Sequence, residues 1–495
     1  MNPELLILIA LFTPLIGAIV ALLLPTRPRA AAWTAIVASS ITLAAGLALV
    51  QLSSDGSAHA IHAGNWKAPF GLVLVSDAFS AIMIAVSQLV ILASLIFCAF
   101  TLPAHFHRRH IYPLILTLSM GTSGAFLTGD LFNLYVWFEV LLLSSFALMA
   151  MIRGEKGRAA AWRYVVINLV SSLLFLTAAG LIYGKTGTLN FAELRLRFAE
   201  AEASFLIDSS AALLFGAFGI KAALIPLAFW LPRSYPQLPP ALSALFAGLL
   251  TKVGLYAFFR VFGMVFSNGT TFPHQDVLFI IAIITMVGGV LGAVAQGDMR
   301  RILSFHIISQ VGYMALALAI FTPLALTAGI FYLGHHIIVK ANLFLVTGLV
   351  ERHVGSSDLG MVRGVARSSP LIALLFAVPA LSLAGLPPLS GFFAKFALLN
   401  SSLSIHEWTA AAAIVLVGLL TVFSMLKIWR AVFWGEPAKS GPGPLKVLAL
   451  TSGILSVITI AIGLAAGPLI DLAGQAANGL LNPEAYLDAV LHSQP

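Results

Sequence analysis

The sequence predicts an all-α polytopic membrane protein with about fourteen spans, an inverted repeat and two broken helices. Three observations carry this. Of 495 residues, 60% are hydrophobic and 9% charged, with mean hydropathy +0.99; these values exclude a soluble globular domain and a disordered chain. Apolar runs of about 20 residues, the length that crosses a hydrocarbon core about 30 Å thick, follow one another along the chain. Two of the runs are interrupted by Pro and Gly clusters that stand beside lysines.

The spans fall near residues 4–25, 30–51, 73–101, 109–128, 130–152, 160–183, 209–232, 239–265, 276–296, 301–321, 323–350, 367–400, 408–434 and 446–472. The first begins after Glu4 without a basic n-region, so it reads as a retained helix and not a cleaved signal. Cations follow the odd-numbered spans: Arg27 and Arg29; Arg108 and Arg109; Arg153, Lys156, Arg158 and Arg163; Arg300 and Arg301; Arg352, Arg363 and Arg367; Arg430, Lys439 and Lys446. The positive-inside rule then puts both termini outside the cytoplasm. The net charge of +8 is topological information and not a nucleic-acid patch, which would need a soluble basic face. Cys98 is the single cysteine, so no internal disulfide forms and no thiolate metal cluster can be built.

Taken in order, the first three spans are chemically bland, with only Asp77 at the start of the third, and residues 51–69 read as an external loop. At Gly129 the text becomes GDLFNLYVWFEVLLLSSFALM. Asp130 stands where a helix cap belongs. Glu139, about nine residues further on, lies well inside the hydrocarbon at a rise of about 1.5 Å per residue. The segment from Lys185 to Asp208 mixes charge with Phe191, Leu194, Leu196 and Phe198 and reads as an external loop with a short interfacial helix.

The stretch from Phe215 to Arg260 holds Lys221 and Lys252 in membrane-length apolar sequence, separated by Pro226, Pro232, Pro236, Pro239 and Pro240. A cation in hydrocarbon costs roughly 2.5–3.5 kcal/mol on insertion scales, so each lysine needs a partner or a function. Glu139 is the expected partner of Lys221. The seventh span is the first broken helix, since proline removes backbone donors and interrupts the helical ladder.

GLLT at Gly248–Thr251 recurs at Gly418–Thr421, each followed by an arginine, Arg260 and Arg430. Gly129-Asp130 recurs as Gly297-Asp298 at a similar separation, about 168 to 170 residues. Spans four to eight therefore duplicate as nine to thirteen, and five spans per copy reverse the second copy in the membrane. This divides the chain into residues 1–106, a first repeat 107–270, a second repeat 271–436 and a C-terminal helix with tail, 437–495. The second copy contains its own break, PALSLAGLPPLSGFFAKFALL, with Pro387 and Pro388 ahead of Lys395; the expected twin of Lys221 falls at Gly391. In the eleventh span His336 and Lys340 share a face, with His335 turned away.

The deep cations 221, 252, 340 and 395 are all lysine, while the arginines lie in loops or near helix ends. Arginine stays charged in proteins; lysine can release its proton when desolvated or set beside another cation. A lysine row therefore suits proton handling, with neighbouring members titrating as a set. The alternative is structural pairing or snorkelling, which is poor far from a helix end. His306 and His335 fit equally well as hydrogen-bonded core residues, and Lys427 and Arg430 as positive-inside anchors.

With these residues in view, the chain resembles the antiporter-like subunits shared by respiratory complex I, membrane-bound hydrogenases and Mrp-type (Mnh, Pha) multisubunit cation/proton antiporters, over essentially its whole length. FWLPRSYPQLPPALSALFAGLLTKVGLYA and HHIIVKANLFLVTGLVE are most similar to the D-type component of Mrp antiporters. Ala228 and Arg233-Ser234-Tyr235 stand where complex I relatives usually carry histidine and Asp-Ala-His, and no long lateral helix of the A-type component follows Leu472. The resemblance implies a Glu139–Lys221 ion pair, a hydrophilic axis continued by Lys252, His336 and Lys340, and Lys395 at its end. It implies a non-enzymatic transport subunit of a bacterial cytoplasmic membrane, working with A-, B-, C-, E-, F- and G-type subunits to exchange protons for Na⁺, with K⁺ or Li⁺ as alternatives. The competing expectation is the proton-pumping subunit of a redox-driven complex. No flavin, quinone or iron–sulfur motif is readable, so no cofactor is expected in this chain.

Overall fold

The computed structural model describes residues 2–66, 71–107, 110–200, 204–437, 443 and 445–492. Arg108, Arg109 and Lys439 of the loop cations, and the end of the 51–69 loop, lie outside the described residues. Among the described residues, twelve helices are long and apolar enough to cross a membrane, and two shorter apolar helices, Ile111–Leu127 and Pro370–Ala384, complete the expected set.

Helices α1 (Pro3–Leu22), α2 (Pro28–Leu52) and α3 (Ala78–Thr101) pack in chain order. Between α2 and α3 the loop forms a small antiparallel hairpin, β1 (His59–His62) with β2 (Val73–Ser76). Asp77 then starts α3 through a reciprocal capping box with Ser80, both bonds 2.9 Å, which satisfies two donors the helix leaves open.

The first repeat runs α4 (Ile111–Leu127), α5 (Leu131–Ala150), α6 (Glu155–Thr186), α7 (Phe191–Glu200), α8 (Phe205–Ala222) and α9 (Pro240–Arg260), which ends in a π-helical turn, Val261–Val265. The short helix α7 packs on the protein through part of its apolar set: Phe191 and Leu194 are buried and Phe198 stacks on Phe266 at 4.8 Å, while Leu196 is exposed. The second repeat runs α10 (Gln275–Val294), α11 (Met299–Ile320), α12 (Pro323–Val354), α13 (Pro370–Ala384), α14 (Ser390–Ser404) and α15 (Trp408–Ile428), again ending in a π-helical turn, Trp429–Phe433.

Matching bonds recur at equivalent places in the two copies. Asp130 accepts from Asn133 N at 2.8 Å and Asp298 from Arg301 N at 3.0 Å, so each Gly-Asp pair opens a helix. Phe191 N donates to Gly129 O and Leu131 N to Leu189 O; Leu359 N donates to Gly297 O and Met299 N to Ser357 O, all at 2.8–3.0 Å. The same two-residue bridge thus fastens the foot of α5 and the foot of α11.

Burial separates core from rim. The most apolar window of α9 is 100% buried, that of α11 94% and that of α12 89%, against 39–50% for most other spans. These three helices form the centre, and they carry Lys252, His306, His335, His336 and Lys340. The C-terminal region is more built than a single helix and a tail. α16 (Lys446–Leu464) is followed by α17 (Ala466–Leu481) and α18 (Glu484–Leu491), and α18 returns to pack against the β1–β2 hairpin and α7.

Candidate functional site

The two helix breaks have the same backbone form. α8 ends at Ala223 and α13 at Gly385, both in the left-handed conformation. Leu224 N then bonds Gly219 O at 2.9 Å, and Leu386 N bonds Leu381 O at 3.1 Å. Such caps satisfy carbonyls left open at a helix end. Pro226, Pro387 and Pro388 fall inside the breaks, and Pro232 opens the short helix Leu231–Ser234. This register puts Leu383, not Gly391, at the place of Lys221. Gly391 instead lets α14 start against α13, because a Cβ there would lie 1.8 Å from Ser382 O.

Lys395 restores the symmetry from the other half-helix. Its Nζ reaches back to donate to Leu383 O at 2.8 Å and Ala384 O at 3.1 Å, and it sits 5.3 Å from the centre of the Tyr313 ring. A cation at the C-terminal carbonyls of a half-helix is favoured by the helix dipole. In the first break the lysine itself ends the half-helix, with Lys221 Nζ 4.7 Å from the centre of the Phe138 ring and without a hydrogen-bond partner among the described residues.

Glu139 and Lys221 make no direct ion pair. The carboxylate accepts from Ser172 Oγ. Glu139 is half-buried on the outward face of α5, between the exposed side chains of Val136 and Leu143. The absence of direct contact has a local cause: Phe138 lies under the ammonium, and Ser172 of α6 takes the carboxylate.

The central row is closer knit. Lys252 is fully buried and donates to Ala247 O at 2.5 Å. Tyr332 lies against both histidines of α12, its ring centre 5.6 Å from that of His335 and 6.3 Å from that of His336. Lys340 Nζ and both ring nitrogens of His336 are buried without a partner among the described residues. His335 shares a hydrogen bond with Ser390 Oγ at 2.8 Å, and His306 one with Ser424 Oγ at 2.5 Å. Tyr332 stacks on Tyr313 at 5.4 Å and bonds Gln310, which links the histidine pair to the ring beneath Lys395. Between Lys221 and Lys252 stands α9 itself: at Gly254 a Cβ would lie 2.7 Å from Ala222 N and 3.1 Å from Lys221 Cβ. Lys252, two residues earlier on the helix, faces away toward α12.

Three partners escaped the reading of the sequence. Ser172 and Ser390 hold Glu139 and His335. Arg260 is not a loop arginine: it is 2% exposed and clamps Asp77 with two bonds, 2.6 and 2.8 Å. Tyr256, Phe79 and Tyr486 surround its guanidinium at 5.3–5.6 Å. The signal was present, since five apolar residues follow Arg260 within the same span. At the opposite end, Arg300 pairs with Glu351 and donates to Pro236 O and Leu238 O at 3.1 and 3.0 Å, fixing the segment after the first break. Lys427, placed as an anchor, donates to Val294 O and Gln296 O at 2.9 and 2.6 Å and so closes the end of α10.

Residues 128–421, which hold both breaks and the whole lysine row, match the family described as NADH:quinone oxidoreductase/Mrp antiporter, TM. The chain belongs to this family. It is 44% identical over 431 residues to the D-type component of the Na(+)/H(+) antiporter of Alkalihalophilus pseudofirmus, covering 86% of this chain and 87% of that one. It is 35% identical over 489 residues to the protein of the same name from Bacillus subtilis, covering 98% and 99%. A chain in the structure of the Mrp complex from Dietzia sp. superposes with a TM-score of 0.92 at 37% identity, covering 99% of this chain and 100% of that one. Within the NADH:quinone oxidoreductase/Mrp antiporter family the chain is therefore of the Mrp D type, a multi-pass membrane protein that operates with other subunits of a multisubunit complex.

Proposed function

We propose that the chain is the proton-translocating subunit of a monovalent cation/proton antiporter in a bacterial cytoplasmic membrane, with both termini external and Na⁺ as the exchanged cation. The observation that supports it best is the row of buried lysines and histidines through α9, α12 and α14, several of whose nitrogens have no protein partner among the described residues. Buried polar groups need hydrogen bonds, and water can complete those of Lys340, His336 and Lys221 and carry protons between them. Such a row is cationic, so it repels Na⁺ and suits protons.

In this reading Glu139, Lys221, Lys252, His336, Lys340 and Lys395 bear the protons in turn. The half-buried flank at Glu139 is covered by a neighbouring subunit, and a change there alters how strongly Lys221 holds its proton. Proton movement in everted vesicles containing the whole assembly tests the proposal. After energisation to an acid interior, addition of NaCl, LiCl or KCl should collapse the gradient of a pH-sensitive dye, and Lys221→Ala should abolish the collapse. An NADH-driven gradient that requires Lys221, with no cation response, would move the chain to a redox-driven complex.

A further inference from the structure

A cavity of about 870 Å³ opens between α6, the segment after α8, α10 and α11. Four cations from three separate elements line it: Lys156 and Arg163 of α6, Arg233 of the short helix Leu231–Ser234, and Arg301 of α11. A single acid, Glu155, stands among them. The positive-inside rule explains why cations collect at this end of the helices. It does not require three elements to turn them into one recess. Much of the remaining lining is apolar, including Ile225 and Phe229 of the break and Phe305 of α11.

The sign of the charge excludes a vestibule for Na⁺, which would need a potential of the opposite sign. Joined to apolar walls, it fits a ligand with an anionic head and a hydrocarbon body. Guanidinium groups bind phosphate oxygens in pairs, and basic pockets between transmembrane helices suit anionic headgroups. We propose that the recess binds an anionic phospholipid, its phosphate diester held by Lys156, Arg163, Arg233 and Arg301 and an acyl chain laid against Ile225 and Phe229. The bound lipid also touches the first helix break. Ile225 N is held by Thr285 Oγ1 at 3.0 Å, and α10 comes so close at Gly288 that a Cβ there would lie 2.7 Å from Ile225 Cδ1. A lipid in the recess braces this segment from its open side, four residues from Lys221.

The binding step is independent of what the complex transports, so its test is read without transport. The intact complex is reconstituted in phosphatidylcholine vesicles carrying a trace of photoreactive phosphatidylglycerol, and labelled peptides are identified by mass spectrometry. Label should fall on residues 155–163 or 225–233, several-fold above that from photoreactive phosphatidylcholine. It should drop several-fold in R163Q/R233Q/R301Q and persist in R163K/R233K/R301K, which keeps the charge; if the triple variant fails to assemble, R233Q is compared with R233K instead. Inorganic phosphate should leave the label in place. Equal labelling by phosphatidylcholine, label unchanged by charge removal, displacement by inorganic phosphate alone, or no label at these segments because another subunit covers them would each overturn the proposal.

Discussion

Arg260 grips Asp77 from nearly two hundred positions away in sequence, NH1 to Oδ2 at 2.6 Å and NH2 to Oδ1 at 2.8 Å. Three aromatic rings surround the guanidinium, one of them Tyr486 from the C-terminal helix α18. The clamp therefore ties the start of α3, the end of α9 and the C-terminal region into one unit. Removing one partner leaves the other charge buried and unpaired, which costs about 3–5 kcal/mol. Asp77→Asn and Arg260→Gln should lower the thermal unfolding midpoint of the purified complex or reduce its assembly. Arg260→Lys should fall between them and the parent, because a lysine keeps the charge and loses the two-pronged grip. A midpoint unchanged in all three variants would show that the clamp contributes nothing to stability.

That clamp also shows where sequence reading stops. Span number, the two breaks, the Asp130 cap and the depth of the lysines follow from hydropathy, proline and spacing, because those signals are local. Arg260 is grouped by sequence with the arginines in loops or near helix ends, since its partner Asp77 is remote along the chain. The second break shows another limit. Repeat matching aligns backbone positions, whereas the fold aligns ammonium groups. A lysine stem is long enough for Lys395 to serve the half-helix end at Leu383 from a different half-helix, and no alignment of letters shows this. Glu139 and Lys221 are expected to touch on charge alone; the serine on α6 that intercepts the carboxylate is one of many serines in the chain and has no distinguishing context.

Lys221 carries the most direct functional prediction. Lys221→Ala and Glu139→Ala should abolish cation-driven proton movement in vesicles while the complex still assembles, as judged by co-purification of the other subunits. Lys221→Arg should also fail, since arginine keeps its proton. Full activity of Lys221→Arg would eliminate proton release from this residue as a step. Ser172→Ala should leave assembly intact and weaken transport less than Glu139→Ala, because it removes a hydrogen bond to the carboxylate and not the charge.

Close backbone approach at the breaks gives a prediction about stability alone. Gly391→Ala places a Cβ 1.8 Å from Ser382 O, a backbone atom that cannot move aside cheaply, and Gly254→Ala places one 2.7 Å from Ala222 N. Overpacking of this kind typically costs about 1–3 kcal/mol or more. Gly391→Ala should lower the yield of assembled complex more than Gly254→Ala. Gly180→Ala, on a helix with nothing within 4 Å of the added carbon, should be neutral or slightly stabilising by helix propensity. Equal yields for all three would mean that the half-helices are not seated as the structure shows.

Lys395 admits two roles that its contacts alone do not separate. Its Nζ caps the end of α13 through Leu383 O and Ala384 O, a structural task. It also stands at the end of the lysine row, where it would bind and release a proton. Arginine divides the two, because its guanidinium can donate to both carbonyls and complement the helix dipole while staying charged. Lys395→Met removes both functions and should lower stability and transport together. In Lys395→Arg a purely structural lysine predicts near-parental transport. A proton-bearing lysine predicts a complex that assembles with the parental unfolding midpoint and transports at least tenfold more slowly, about 1.4 kcal/mol or more in the barrier. The second outcome is the expected one, since a cap alone does not need the one long cation that can let its proton go.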